Sequence, residues 1–407
     1  MRVLVVGSPG PTLPDAAWLP VPGPRGPRSR WGVAGDVPSS QDVARSWRQS
    51  SGAGTEAITL AAVGQPFLDA VSRVAPEALA GVVEVPDGAD VPVALRRSRV
   101  TGTVYADASQ LPAERGAARE AGTDARGASW RDAPRSSGAV GRLVALAVDA
   151  ARASDGRPGR VVLATGGARS HDAGAGMVRV LAGEVADGGG VGAGRADAAH
   201  ELRAARDALG GARLVAAVAT DVPLLGLHGA SATLADHGVD GAVAQDLERE
   251  LGAVAARTAA AVDGIAPGGA GSVVGRDLLA RADARLAGLP GAGSGGGLGF
   301  AVAALGGQLT PALHVLAHDV GLDALLADAD LAVVVTAEVG AHELGEGAVR
   351  EVAARAAQHA VPVIALARTV VAGRREQAAA GLSGTYAWGG DDPHALVDRV
   401  ARTWARG

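Results

Sequence analysis

The chain of 407 residues contains no cysteine. That excludes a disulfide framework, a thiolate metal site and a cysteine nucleophile. Lysine and asparagine are also missing, so all 38 basic residues are arginine. A GC-rich coding sequence produces this bias, but the bias has a chemical consequence. Positive charge set against a phosphate must come from arginine, a backbone amide, a helix N-terminus or a metal. A GxxxxGK[ST] phosphate loop cannot be built at all. No GxSxG nucleophile elbow occurs either. Long apolar runs are absent: nothing approaches the roughly 18–20 residues of a membrane span. The opening MRVLVVG is too short for a signal-peptide core and reads as a first strand. The expected location is therefore the cytoplasm, away from membranes. Net charge is −5, and no basic run is dense enough to track a nucleic-acid backbone.

The chain has 48% hydrophobic and 20% charged residues, the composition of an ordinary globular core. Its length suits two or three domains of roughly 100–200 residues. Short apolar runs read as buried strands at Val3–Val6, Val82–Val85, Val91–Leu95, Arg160–Ala164, Leu214–Ala219, Ala329–Val335, Val361–Leu366 and Thr385–Trp388. Glu56–Val74 reads as strand, turn and helix. Helical patterns fall at Asp42–Trp47, Val140–Ala151, from near Asp172 to Leu181, Glu201–Leu209, Leu247–Val262, Asp277–Leu286, Phe300–Leu305, Ala348–His359 and Pro393–Trp404. Strands alternating with helices predict an α/β protein with mainly parallel sheets. Pro9–Pro38, rich in Pro, Gly and Arg, reads as an irregular loop.

In open α/β sheets, ligands sit beyond the carboxyl ends of the strands. Three polar, glycine-containing loops follow expected elements. Thr165–Gly176 ends in glycines that let a backbone approach a ligand, with a helix N-terminus behind them for an anion. Asp172, at its mouth, is either a general base or hydroxyl acceptor, or the cap of the following helix. Asp221 follows a strand directly, where it would orient a hydroxyl or metal, or close a turn before Pro223. The run from Pro290 to Gly299 contains GxGxxG at Gly291, Gly293 and Gly296, but a helical pattern precedes it rather than a strand. His314 and His318 are spaced i, i+4 with no third metal ligand near.

Taken in order, these loops resemble the glycerate kinase family of the bacterial two-domain type. Gly166 to Gly176 resembles its GGSATNDGGAG loop, and Thr220 to Ala230 its CDVxNPLLGxxGA segment. Pro290 to Gly299 resembles PGAGAAGGLG, and Ala329 to Glu338 resembles ADLVITGEGRxD. Departures accompany the matches. The loop Gly7-Ser8-Pro9-Gly10 lacks the acid and lysine of DSFKG. The ADGGEG turn becomes Ala62–Pro66 without carboxylates, His171 replaces an asparagine, and Gly347-Ala348 replaces a glycine-lysine pair. The lysine of a QKGA stretch is lost near His237-Gly238.

The resemblance implies two α/β domains, one inserted in the other: 1–75 with 296–407, and 76–295, with a ligand in the cleft between them. It implies ATP-dependent phosphorylation of a hydroxyl on glycerate or a similar small hydroxy acid, with ATP and Mg²⁺ as cofactors. Asp172 would take or orient the hydroxyl proton, with His171 as a base or acceptor. Gly166, Gly167, Arg169 and Ser170 would line the substrate, Arg169 replacing a lost cation. Gly293, Ser294, Gly295 and Gly296 would hold a phosphate or carboxylate. Asp221 and Glu338 would bind hydroxyls or Mg²⁺ through water. The missing charged positions support a second reading, a degenerate member that binds a ligand or partner without catalysis. A nicotinamide oxidoreductase, a third reading, needs a strand before GxGxxG.

Overall fold

The structure, a computed structural model, describes residues 1–9, 37–85, 89–112, 136–183, 198–236, 239–264 and 282–405. Most of the Pro9–Pro38 loop, the glycine-rich stretch 188–194, His237-Gly238 and the start of the expected helix Asp277–Leu286 lie outside them. Its strands, in chain order, are β1 (Arg2–Gly7), β2 (Gly54–Thr59), β3 (Glu77–Glu84), β4 (Asp90–Ser98), β5 (Thr103–Asp107), β6 (Arg160–Ala164), β7 (Arg213–Val218), β8 (Gln308–Pro311), β9 (Leu331–Val339), β10 (Val363–Val370) and β11 (Leu382–Ala387). The described residues form two compact units, one drawn from both ends of the chain (up to 74 and from 313), the other from 75–312 between them. Residues 296–312, expected in the first domain, belong to the second unit. Leu298, Val302 and Leu305 join Val161, Leu163 and Leu214 in its core there. No described helix is long and apolar enough to cross a membrane.

In the first unit, five strands run in the order β11-β10-β9-β1-β2, and every pairing is parallel. A parallel sheet is covered on both faces, so its central strands must be apolar throughout. Val3–Val6 and Leu331–Val335 are buried accordingly. Helix Ser40–Ser51 starts where the Ser39 hydroxyl accepts the Asp42 N–H, and it ends at Gly52, φ +70°. Its Trp47 is fully buried with Val5, Val333, Leu366 and Trp388. β1 lies between β9 and β2, the point where strand order reverses in this sheet.

In the second unit the order is β3-β4-β5-β6-β7-β8. β3, β4 and β5 pair antiparallel, and β5 through β8 pair parallel. β5 (TVYAD) and β8 (QLTP) lack the uninterrupted aliphatic run that marks β6 (RVVLA) in sequence. The apolar core of this unit runs from Val83 and Leu95 through Val104, Val161 and Leu163 to Leu214.

At the base of the β3–β4 hairpin, Glu77 accepts Arg97 Nε at 2.7 Å and Arg99 Nη2 at 2.5 Å. The hydrogen bond from Arg99, with that from Arg97, holds the Glu77 carboxyl at about 2 against an ordinary 4.5. A carboxyl whose folded pKa is depressed contributes stability above its unfolded pKa and loses it as pH falls toward the folded one. The stability difference between wild type and Glu77→Gln should therefore be largest at neutral pH. It should close between about pH 4.5 and pH 2, read from denaturant unfolding across that range.

Candidate functional site

Two of the three loops leave the carboxyl ends of the neighbouring strands β6 and β7, and the third, Pro290–Gly299, follows helix Ala282–Ala287 and runs into helix Ser294–Ala304. The loop after β6 and the glycine-rich loop of the third motif are fastened together. Thr165 Oγ1 and Ser294 Oγ are 2.8 Å apart, both fully buried. The Ser170 hydroxyl donates to the Gly295 carbonyl at 2.9 Å, and the Ala173 N–H donates to the Gly296 carbonyl at 3.1 Å. Gly295, Gly296 and Gly297 hold φ of +62°, +65° and +103°, the left-handed region that favours glycine. A Cβ on Gly296 would lie 1.8 Å from the Ser170 carbonyl oxygen, and one on Gly297 2.4 Å from Ala173 Cα. These glycines therefore let one loop's backbone meet another's. On the other side, the Gly291 N–H donates to the Asp221 carbonyl at 3.0 Å and the Gly293 N–H to the Val222 carbonyl at 2.9 Å. Helix Ala282–Ala287 precedes this loop, so its GxGxxG lacks the strand of a dinucleotide site.

The N-terminus of helix Ala175–Leu181, expected to be open to an anion, is filled by the chain itself. Gly174 N–H donates to Asp172 Oδ1 and Gly176 N–H to Oδ2, each at 2.9 Å. Ala175 N–H donates to the Asp172 carbonyl at 3.1 Å, and Met177 N–H to Ser137 Oγ at 2.9 Å. Ser137 in turn donates from its N–H at 2.9 Å and its hydroxyl at 3.0 Å to Asp172 Oδ2. Ser137 stands immediately before helix Gly138–Ala150. One carboxylate thus joins the starts of two helices. They approach closely enough that a Cβ on Gly176 would lie 2.6 Å from the Gly138 nitrogen. Loss of solvation is the largest influence on the Asp172 carboxyl and raises its pKa, against the four donors that lower it.

His171 is buried, its Nε2 2.9 Å from the hydroxyl of Ser231. Gly166 and Gly167 are buried, and Gly167 turns at φ +70° beside Ser109. At the end of β5, Asp107 is fully buried and accepts the Ser109 N–H and hydroxyl at 3.1 and 2.6 Å. Two charged side chains of these loops face solvent: Arg169 and Asp221. Neither forms an ion pair among the described residues. Ser137, Ser231 and Asp107 were not singled out in the sequence; Ser136-Ser137-Gly138 carries only the signal of a helix start.

Glu338 lies near the end of β9 in the first unit, where Thr369 Oγ1 donates to it at 3.4 Å. The buried acid of that unit is Glu343. Its Oε1 accepts the hydroxyls of Ser8 and Thr336 at 3.0 and 3.1 Å, and its Oε2 the Val349 N–H at 3.2 Å. It joins the loop after β1, the strand β9 and the start of helix Ala348–Ala356.

The model of the glycerate kinase family matches residues 59–400. The chain belongs to the glycerate kinase family. A crystal structure from Salmonella typhimurium LT2, of a protein assigned as glycerate kinase 2, is similar over 100% of this chain and 96% of that one. Its TM-score is 0.60 at 19% identity, a likeness of fold. No curated protein matches the chain. In this glycerate kinase family member the matched region takes in every loop of the site.

Two substitutions test the loop assembly. Gly296→Ala must break the left-handed turn and collide with the Ser170 carbonyl, and should destabilise the fold by at least about 3 kcal/mol in denaturant unfolding. Asp172→Asn leaves helix N–H groups without an acceptor and should cost about 2 kcal/mol. Because the Asp172 pKa is raised in the fold, its contribution is full below the unfolded pKa and declines as pH rises through the folded one. The deficit of the variant should accordingly shrink with rising pH.

Proposed function

We propose that this glycerate kinase family member transfers the terminal phosphoryl group of ATP to a hydroxyl of glycerate or a closely similar hydroxy acid. The observation that carries the reading is the presence of exposed Arg169 and Asp221 on the loops that follow neighbouring parallel strands, β6 and β7. They are a cation and a carboxylate, both solvent-facing, beyond the carboxyl ends of interior strands of the sheet, where ligands of such folds bind. In a chain without lysine, Arg169 is the loop's means of gripping a carboxylate or phosphate by paired N–H donors.

No described group of three or more His, Asp or Glu could hold a metal by itself. This fits Mg²⁺, which keeps several waters and takes one or two carboxylates together with phosphate oxygens. Asp221 would supply that carboxylate. When bound, ATP with Mg²⁺ supplies the activated phosphoryl group. The chain's own part is positioning and charge stabilisation, which account for most of the catalysis of phosphoryl transfer. Asp172 and His171 fall into the positioning role. The first caps helix Ala175–Leu181 with its carboxylate and holds Ser137 ahead of helix Gly138–Ala150, and the second is tied to Ser231, so both set the shape of the loop that presents Arg169.

The four donors on Asp172 also favour the second reading, binding without turnover, because its oxygens are engaged within the protein rather than turned to a substrate hydroxyl. A coupled assay with ATP, Mg²⁺ and glycerate separates the two. Phosphorylated product is expected, and a complete lack of it at high enzyme concentration, with ligand binding retained, establishes the second reading. Arg169→Ala should lower kcat/KM by about 10²-fold, the usual cost of one stabilising donor. Its melting temperature should stay unchanged, since the side chain is exposed.

A further inference from the structure

The first unit is built on a parallel sheet, and ligands of such sheets sit beyond the carboxyl ends of the strands. Beyond β1 and β9 that position is taken by Glu343, which is bonded to Ser8 and Thr336. Beyond β9 and β10 it is open. A concave space of about 520 Å³ lies there, within the roughly 300–1,000 Å³ range of small-molecule sites. Ala341 and Leu344, which follow β9, form one wall, and Val371 and Ala372, which follow β10, form another. Ala379 and Ala380, at the end of helix Arg374–Ala379, form the third.

The composition of that helix explains why the space stays open. Its sequence, RREQAA, offers no apolar group larger than a methyl, and none of its residues is buried. Leu344 and Ala372 belong to a small apolar cluster with the buried Val339, Ala365 and Ala367, yet are themselves only partly buried. Val371 is 66% exposed. An apolar body placed here removes that surface from water. Two charged side chains also line the space, Glu376 and Arg350. Glu376 is engaged: the Gly373 N–H donates to its Oε2 at 2.6 Å, at the start of its own helix. Arg350, exposed on helix Ala348–Ala356, makes no side-chain hydrogen bond or ion pair among the described residues. The free charge of the space is therefore a guanidinium, which offers paired donors to the oxygens of an anion.

We propose that this space is a further ligand site, for a small amphiphilic anion: a carboxylate or sulfonate held by Arg350, on an aliphatic or aromatic body lying against Leu344, Ala372 and Ala379. It is independent of the phosphoryl-transfer reading, since none of these residues belongs to the loops assigned to that reaction.

Titration of the full chain with the dye anilinonaphthalene sulfonate, followed by fluorescence, tests the proposal. Wild type is expected to bind one equivalent saturably. Arg350→Glu should weaken binding by about tenfold or more, the loss of a charge-assisted bond. Ala379→Trp, which fills the space and leaves the charge alone, should weaken it as well. Arg169→Ala should leave it unchanged, which separates this space from the candidate substrate loops. Thermal melts of each variant, compared with wild type, establish that they are folded. Straight-chain carboxylates supply a second readout: from butyrate to octanoate, competition with the dye should strengthen about fourfold per methylene, while octylamine should not compete. Dye binding that survives both Arg350→Glu and Ala379→Trp overturns the proposal. So does binding that is lost in Arg169→Ala, octylamine competing as well as octanoate, or a wild type that shows no saturable binding.

Discussion

Asp172 sits where the backbones of two helices begin, and everything around it must come close. Its carboxylate receives Ser137, Gly174 and Gly176, so the loop after β6 and the segment before helix Gly138–Ala150 have no freedom to separate. Glycine at 176 and at 295–297 follows from that closeness, because any side chain there would occupy space already filled by main chain. Removing a carboxylate from water is costly, and a ring of neutral donors offsets the cost without a counter-cation. The Arg169 side chain is presented by a loop whose every turn is determined from inside.

This arrangement changes how the glycine-rich motifs are understood. Glycines in such loops are commonly read as room for a ligand. Here the room is taken up by neighbouring loops, and the charged side chains Arg169 and Asp221 stand on the outer surface of the assembly. A fold in which lysine has disappeared and arginine remains can still meet an anion this way, since a guanidinium presents a planar pair of donors to two oxygens. The first unit contains a related device. Glu343 is held by two hydroxyls and an amide at the point where strand order reverses.

Much of the architecture was legible in the amino-acid order. β6, β7 and helix Pro393–Trp404 stand out because an apolar run or an amphipathic face has clear stop signals on either side. β5 and β8 were hidden because polar residues break up their apolar runs, and β3 was seen only in its last residues because alanine and glycine occupy much of its first part. The alternatives for Asp172 were visible from one loop alone; its bonds to Ser137, 35 positions earlier, were not. His171 and Ser231, separated by 60 positions, meet only through tertiary packing. Glu343 escaped notice because it lies in a stretch where the family motif has been rewritten, so no pattern directed attention to it.

The run of left-handed glycines at 295–297 has an evolutionary consequence. A codon at these positions can change silently but cannot change its residue without breaking the contact with Ser170 or Ala173. Glycine codons are themselves rich in G and C, so a compositional bias that disfavours lysine and asparagine does not act against them. A bias of that kind can exchange one charged side chain for another while the backbone turns at 295–297 stay in place.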